Sequence, residues 1–223
     1  MDEYRDIASY IRQIYQLLDG YFGNLYWWPA DTPFEVVVGA ILTQNTAWSN
    51  VVTAISKLKD ADILTPEGLY RVELSTLATL IRSSGYYRVK AVRLKAFVDF
   101  LHKEHGGSLD ALFAGGVRQI REKLLQIYGI GEETADSILL YAGRKPVFVV
   151  DAYTKRILMR HGIVNERAGY RDIQSLFMAS LPQSVPLYNQ YHALLVNTAK
   201  HFCTKKSRCE ECPLRDIIGS ALL

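Results

Sequence analysis

No stretch of the sequence approaches the ~18 to 20 consecutive apolar residues that a membrane span requires, so no spanning helix is expected. Tandem repeats and low-complexity linkers are absent as well, which excludes a solenoid or a disordered tether. Strict apolar–polar alternation is also lacking, and the run VFVV at 147–150 is the one place where a short strand competes with helix. Cysteine is scarce: three residues, an odd number, all near the C-terminal end. That usage suits no secreted disulfide framework. No signal peptide is read in MDEYRDIASY, which is polar and mixed in charge, and a cytoplasmic protein is expected. Nor is there a strong charge imbalance. A formal net charge of +3 permits an anionic partner without demanding one.

What is present is an ordinary globular composition of 223 residues, 49% hydrophobic and 22% charged. Such a chain can bury a proper core in one large domain or two small lobes. Apolar residues recur at helical spacing from the start, with Ile7, Ile11, Ile14, Leu17 and Leu18 on one face of a segment at 3–19. FEVVVGAILTQ continues through TAWSNVVTAISKLK as two buried helices. Further helices are expected near 50–60, 73–83, 87–104, 117–127, 133–142, 151–160, 169–180 and 186–202. Short separators rich in Gly, Pro or Asp lie between them, among them DILTPEG, SSGYY, HGGSLD, AGRKP and SLPQSVP. The pattern predicts an all-α architecture. Basic residues gather in SGYYRVKAVRLKAF and CTKKSRC, which suits either a solvated helix face or an anionic partner.

Two stretches carry chemistry. In LQIYGIGEETAD, Gly129 and Gly131 precede a helix whose buried side is Ile130, Ala135, Ile138, Leu139 and Ala142. A Gly-x-Gly bend lets backbone amides face outward, and the helix start adds partial positive charge, so the pair suits a phosphate. Gly129 equally suits the plain role of ending one helix. Downstream, VFVVDAYTKR delivers Asp151 after an apolar run. That residue can act as a fixed anion or can simply cap the next helix.

Together these stretches resemble the helix–hairpin–helix DNA glycosylase superfamily typified by endonuclease III. The matching pattern is Leu-x-x-Ile-x-Gly-Ile-Gly-x-x-Thr-Ala-Asp, then a helix, then Val-Val-Asp. GAILTQNT at 39–46 and SGYYRVKAVRL extend the resemblance over nearly the whole chain. It implies an all-α, two-lobed fold with the active-site cleft between lobes, residues 25–134 forming one and 1–24 with 135–223 the other. It also implies that Asp151 assists cleavage of an N-glycosidic bond. Gly129, Ile130 and Gly131 would then hold a DNA phosphate by their amides, with Thr134 also at the DNA. Gln44 would fill the gap left by a flipped nucleotide, although a polar residue there also suits a helix cap. Bifunctional members carry a nucleophilic lysine where this chain has Glu133. A carboxylate cannot form an imine, so a monofunctional enzyme is expected.

WWP followed by FEVVVGAILTQNT resembles the 3-methyladenine DNA glycosylase branch of that superfamily. The resemblance implies that Trp27, Trp28 and Pro29 line the base pocket and that Trp48 supplies an opposing aromatic face. The two adjacent tryptophans also suit a seam between lobes. An alkylated purine is cationic and already a good leaving group, so stacking and cation–π attraction would suffice for recognition. Cys203, Cys209 and Cys212 resemble the superfamily's iron–sulfur loop, but its fourth cysteine position is Ile218 here. No cofactor is required on this reading, with an iron–sulfur cluster or other metal an open alternative. The expected partner is double-stranded DNA containing damaged bases, met by a monomer in the nucleoid-associated cytoplasm.

Overall fold

The structure, a computed structural model, describes the backbone of residues 2–217 and the side chains of residues 7–217. Among the described residues there are helices, turns and extended connections but no strand. The chain forms two compact units. One takes both ends of the chain, up to Trp27 and from Pro146; the other is Trp28–Lys145. The resemblance implied a second boundary at 134/135. It falls later because the helix that Glu132 opens runs on without a break through Ala142.

Helix α1 (Asp2–Phe22) belongs to the first unit. The second unit is built around α2 (Pro33–Leu42), in which every residue from Phe34 to Leu42 is buried. Thr32 starts that helix by accepting the Glu35 N–H, and Pro33 occupies the first turn, where its missing donor costs nothing. Around it lie α3 (Trp48–Asp60), α4 (Pro66–Arg71) and α5 (Leu74–Leu80). A 3₁₀ turn at Arg82–Ser84 leads into α6 (Tyr87–His105), followed by α7 (Leu109–Phe113) and α8 (Val117–Leu125). Last comes α9 (Glu132–Ser137), which widens into a π-helical segment at Ile138–Ala142. Helices α3, α6, α9 and the π-helical segment all pack on α2. The short α4 and α7 lie where the sequence suggested only separators. Thr65 and Ser108 cap them by accepting the N–H of Gly68 and Ala111, and that cap signal within DILTPEG and HGGSLD was readable.

The first unit continues with α10 (Ala152–Arg160), α11 (Tyr170–Ser180) and α12 (Val185–His201), with α1 packed on α11 and α12. Its core holds Ile11, Ile14 and Leu18 against Tyr188, Tyr191, Leu194 and Leu195. The run VFVV crosses this core in extended form without a partner strand. Phe148 is fully buried and stacks on Phe177 at 3.9 Å between ring centroids. Side chains meet the run's backbone in place of a sheet: Gln174 Nε2 donates to Phe148 O (2.7 Å), and the Val150 N–H to Tyr170 Oη (3.4 Å). Tyr191, also fully buried, donates its hydroxyl to Ile11 O at 2.7 Å and so ties α12 to α1. Tyr191→Phe removes that bond while keeping the ring, and a destabilisation of about 0.5 to 1.5 kcal/mol is expected. Urea denaturation checks it, with the midpoint lowered and the slope unchanged.

Candidate functional site

The bend after α8 depends on Gly129. Its φ is +81°, and a Cβ there would come within 2.3 Å of the Arg93 side chain on α6, so no other residue fits. Ile130 is buried and anchors the bend in the second unit. Its N–H donates to Ile127 O at 3.1 Å. The expectation that three successive amides face a phosphate is therefore corrected: the middle one is engaged inside the turn. The amides of Gly129 and Gly131 donate to no protein group among the described residues. Arg121 of α8 grips the buried Asp136 of α9 through two bonds, of 2.7 and 3.0 Å, and reaches Glu132 at 3.4 Å. That pairing offsets one of the two acidic charges at the helix start.

Gln44 does not point outward. Its Nε2 donates to Gly129 O (3.1 Å) and to Thr134 Oγ1 (2.8 Å), and its Oε1 accepts from Arg93. Both donors and the acceptor of the amide are thus held within the protein, and Thr134 is 6% exposed. Both side chains therefore face the protein in this DNA-free structure. They brace the glycine bend. At the tip of the same turn Asn45 is exposed, with φ of +54°.

The tryptophans divide between the units. Trp28 and Trp48 belong to the second and touch edge to face, with ring centroids 5.2 Å apart and planes at 81°. Tyr141 covers Trp28 at 4.8 Å, and Gly39 lies beneath, where a Cβ would be 3.3 Å from Trp28. A base sandwiched between two rings needs them parallel with a gap of about 7 Å. Trp48 therefore does not supply a face opposing Trp28; the two indoles make a corner. Pro29 is exposed. Trp27 belongs to the first unit, where Lys200 lies 5.8 Å from its ring centroid and His192 meets it edge-on at 6.4 Å.

Asp151 is also in the first unit and is the N-cap of α10, accepting the Thr154 N–H at 2.7 Å. The capping role and the role of fixed anion thus reside in one side chain. Its other oxygen lies 3.7 Å from His192 Nε2, longer than a hydrogen bond. Burial opposes the carboxylate's charge. His192 and the Thr154 N–H more than offset that cost, and the Asp151 pKa is held below the ordinary aspartate value. An aspartate at a helix N-terminus also gains from the helix dipole. Reading the sequence alone missed His192. The available signal was a titratable residue on the buried stripe Tyr188, His192, Leu195, Ala199 of α12, where apolar residues otherwise alternate at helical spacing.

Residues 38–183 match the family model of the HhH-GPD superfamily of base excision DNA repair proteins. The chain belongs to this superfamily. A Methanocaldococcus jannaschii protein provisionally named a DNA repair glycosylase is 46% identical over 207 residues, which cover 92% of this chain and 94% of that one. Among solved structures, the H. pylori 3-methyladenine DNA glycosylase bound to 1,N6-ethenoadenine is similar at a TM-score of 0.72 and 28% identity, covering 90% of this chain and 98% of that one. A non-covalent endonuclease III–DNA complex gives 0.81 at 22% identity, covering 94% of each chain, and shares the fold. At this level the protein is an HhH-GPD DNA glycosylase, all-α as the sequence pattern predicts.

The cysteine loop of this HhH-GPD protein does not fit a four-thiolate cluster. The chain has three cysteines, and Ile218, at the fourth position, lies outside the described residues. Cys203 and Cys212 are buried and Cys209 is exposed. Among the described residues no three His, Cys, Asp or Glu side chains group closely enough to hold a metal ion. Protein contacts hold the loop: Arg160 donates to Cys203 Sγ (3.1 Å) and Thr204 O (2.8 Å), while Arg208 donates to His201 O.

Asp151→Ala removes a cap and a carboxylate that folding holds ionised, and a loss of about 1 to 2 kcal/mol is expected near neutral pH. A depressed folded-state pKa gives stability that is present above the unfolded value and lost as pH falls through the folded one. The gap between wild type and Asp151→Ala should therefore close below about pH 4. Thermal melts of both proteins from neutral to acid pH measure it.

Proposed function

We propose that this glycosylase is monofunctional and hydrolyses the N-glycosidic bond of alkylated purines, of the 3-methyladenine type, in double-stranded DNA. The observation that carries the reading is Asp151, a carboxylate kept ionised at the start of α10 with His192 beside it. Breaking the bond between C1′ and the base nitrogen sends the electron pair to the base and leaves positive charge on the sugar. A fixed anion stabilises that oxocarbenium-like state. The same carboxylate orients the attacking water, whose oxygen bonds to C1′ and whose proton passes through Asp151 to solvent. An alkylated purine leaves as a neutral base, so no strong general acid is needed.

Glu133, at the position of the lyase lysine, supports hydrolysis without strand cleavage. The WWP run and the likeness to a 3-methyladenine glycosylase support the substrate class. Trp27, in the same unit as Asp151, and the Trp28–Trp48 corner each offer an indole to a purine, a contact worth roughly 0.5 to 2 kcal/mol. The amides of Gly129 and Gly131 would receive a backbone phosphate. The enzyme would act as a monomer on nucleoid DNA in the cytoplasm.

The test is release of free bases from alkylated duplex DNA, separated by chromatography, with the strand examined for nicks and treated with borohydride. The expected result is 3-methyladenine-type bases, intact abasic strands and no trapped protein–DNA adduct. A borohydride-trapped adduct would show a lyase, and release of oxidised pyrimidines alone would overturn the substrate class.

A further inference from the structure

Lys90 is the second unit's least expected side chain. It is 1% exposed, and among the described residues no carboxylate pairs with it. Its ammonium donates to two backbone carbonyls, Leu42 O at 2.8 Å and Ser84 O at 2.6 Å. Leu42 is the last residue of α2, and Ser84 is the last of the Arg82–Ser84 turn. One buried cation thus closes two helix ends, where partial negative charge collects. A buried charge with no carboxylate beside it is costly even when carbonyls receive it, so a lysine here calls for a reason beyond stability.

The loop tips beyond these two carbonyls supply that reason. Three residues after Leu42 comes Asn45, exposed and with φ of +54°; two after Ser84 comes Tyr86, 73% exposed with φ of +45°. Both tips hold a left-handed backbone that non-glycine residues rarely adopt. The Asn45 turn is also tied through Gln44 to the glycine bend, and Arg93, which completes that tie, lies one turn along α6 from Lys90. Three loops of the second unit are therefore braced to one another by Lys90, Gln44 and Arg93.

We propose that Lys90 is a positioning residue for DNA engagement, holding the 43–46 turn and the 84–87 bend in fixed register so that Asn45 and Tyr86 meet the duplex together. Asn45, rather than the inward-held Gln44, is then the side chain that the turn presents to DNA. The inference rests on the DNA-glycosylase reading but not on which base is removed.

Burial, and next the charge of Arg93, lower the Lys90 pKa to about 8. Among the described residues Arg93 is the charged group whose field lowers it; α2 and the Arg82–Ser84 turn offer it carbonyl oxygens. Above that pH the charge-assisted bonds weaken. The unfolded chain keeps its proton to higher pH than the folded one, so this site's contribution to stability rises as pH rises past the folded value. Stability and DNA engagement should therefore move in opposite directions, a split that a purely structural lysine does not produce.

The experiment measures affinity for a duplex containing a tetrahydrofuran abasic-site analogue, which carries no base to release. Wild type, Lys90→Met and Asn45→Gly are compared from pH 6.5 to 9.5. Glycine suits the left-handed backbone, so Asn45→Gly removes the side chain and keeps the turn. Each variant should bind about tenfold more weakly at pH 7, the double variant no worse than Lys90→Met alone. Wild-type affinity should fall through pH 8 while that of Lys90→Met stays level. If Lys90→Met proves unfolded, the wild-type titration stands alone: affinity falling while melting temperature holds or rises supports the proposal, and parallel changes overturn it. Binding within twofold of wild type by folded Lys90→Met, or by Asn45→Gly, also overturns it. A wild-type protein that binds the analogue but releases no base would remove the proposed function and leave this test intact.

Discussion

The proposed chemistry depends on one carboxylate that stays charged while largely buried. Desolvation alone would neutralise Asp151. The fold prevents this by placing it where α10 begins, so that the Thr154 N–H points at one oxygen and His192 stands by the other. Helix capping and catalysis are often discussed as rival explanations for an aspartate. Here the cap is the means by which the anion is kept: the orphan amides of a helix start are the donors that an ionised carboxylate needs. The extended run 147–150 delivers it there, its own backbone satisfied by Gln174 and Tyr170 in place of a strand.

The second unit solves a different problem, that of presenting backbone amides and loop tips on short, irregular segments. Gly129 has room only for a hydrogen because Arg93 passes beneath it, and Arg93 in turn fixes the amide of Gln44. Loops carry function but are intrinsically mobile, and polar side chains turned inward are one way to hold them. Gln44, Thr134, Arg93 and Lys90 serve that end. Arg121 does the same on the other side of the bend through Asp136.

Much of this was legible in the residues. Apolar spacing located the long helices to within a few positions, and the Gly-x-Gly bend and Asp151 stood out from local pattern, though a role for each came only with the family resemblance. Two short helices escaped because six- and five-residue segments barely show a period, although Thr65 and Ser108 announced them. Side-chain direction was the main loss. A motif places Gln44 and Thr134 in a loop but cannot say that their polar atoms face one another. Nor can adjacency in WWP show that Trp27 and Trp28 join different units, or that Trp48 meets Trp28 edge-on. His192 lies 41 positions from Asp151, and only packing of α12 on α10 brings them together.

The most direct test of the central claim is Asp151→Asn. Asparagine caps helices nearly as well as aspartate, so the exchange keeps the local fold and removes the negative charge. Base release from alkylated duplex under single-turnover conditions should fall by about a thousandfold, with affinity for the abasic-analogue duplex retained. A folded Asp151→Asn protein that releases bases within a few-fold of the wild-type rate would contradict the account.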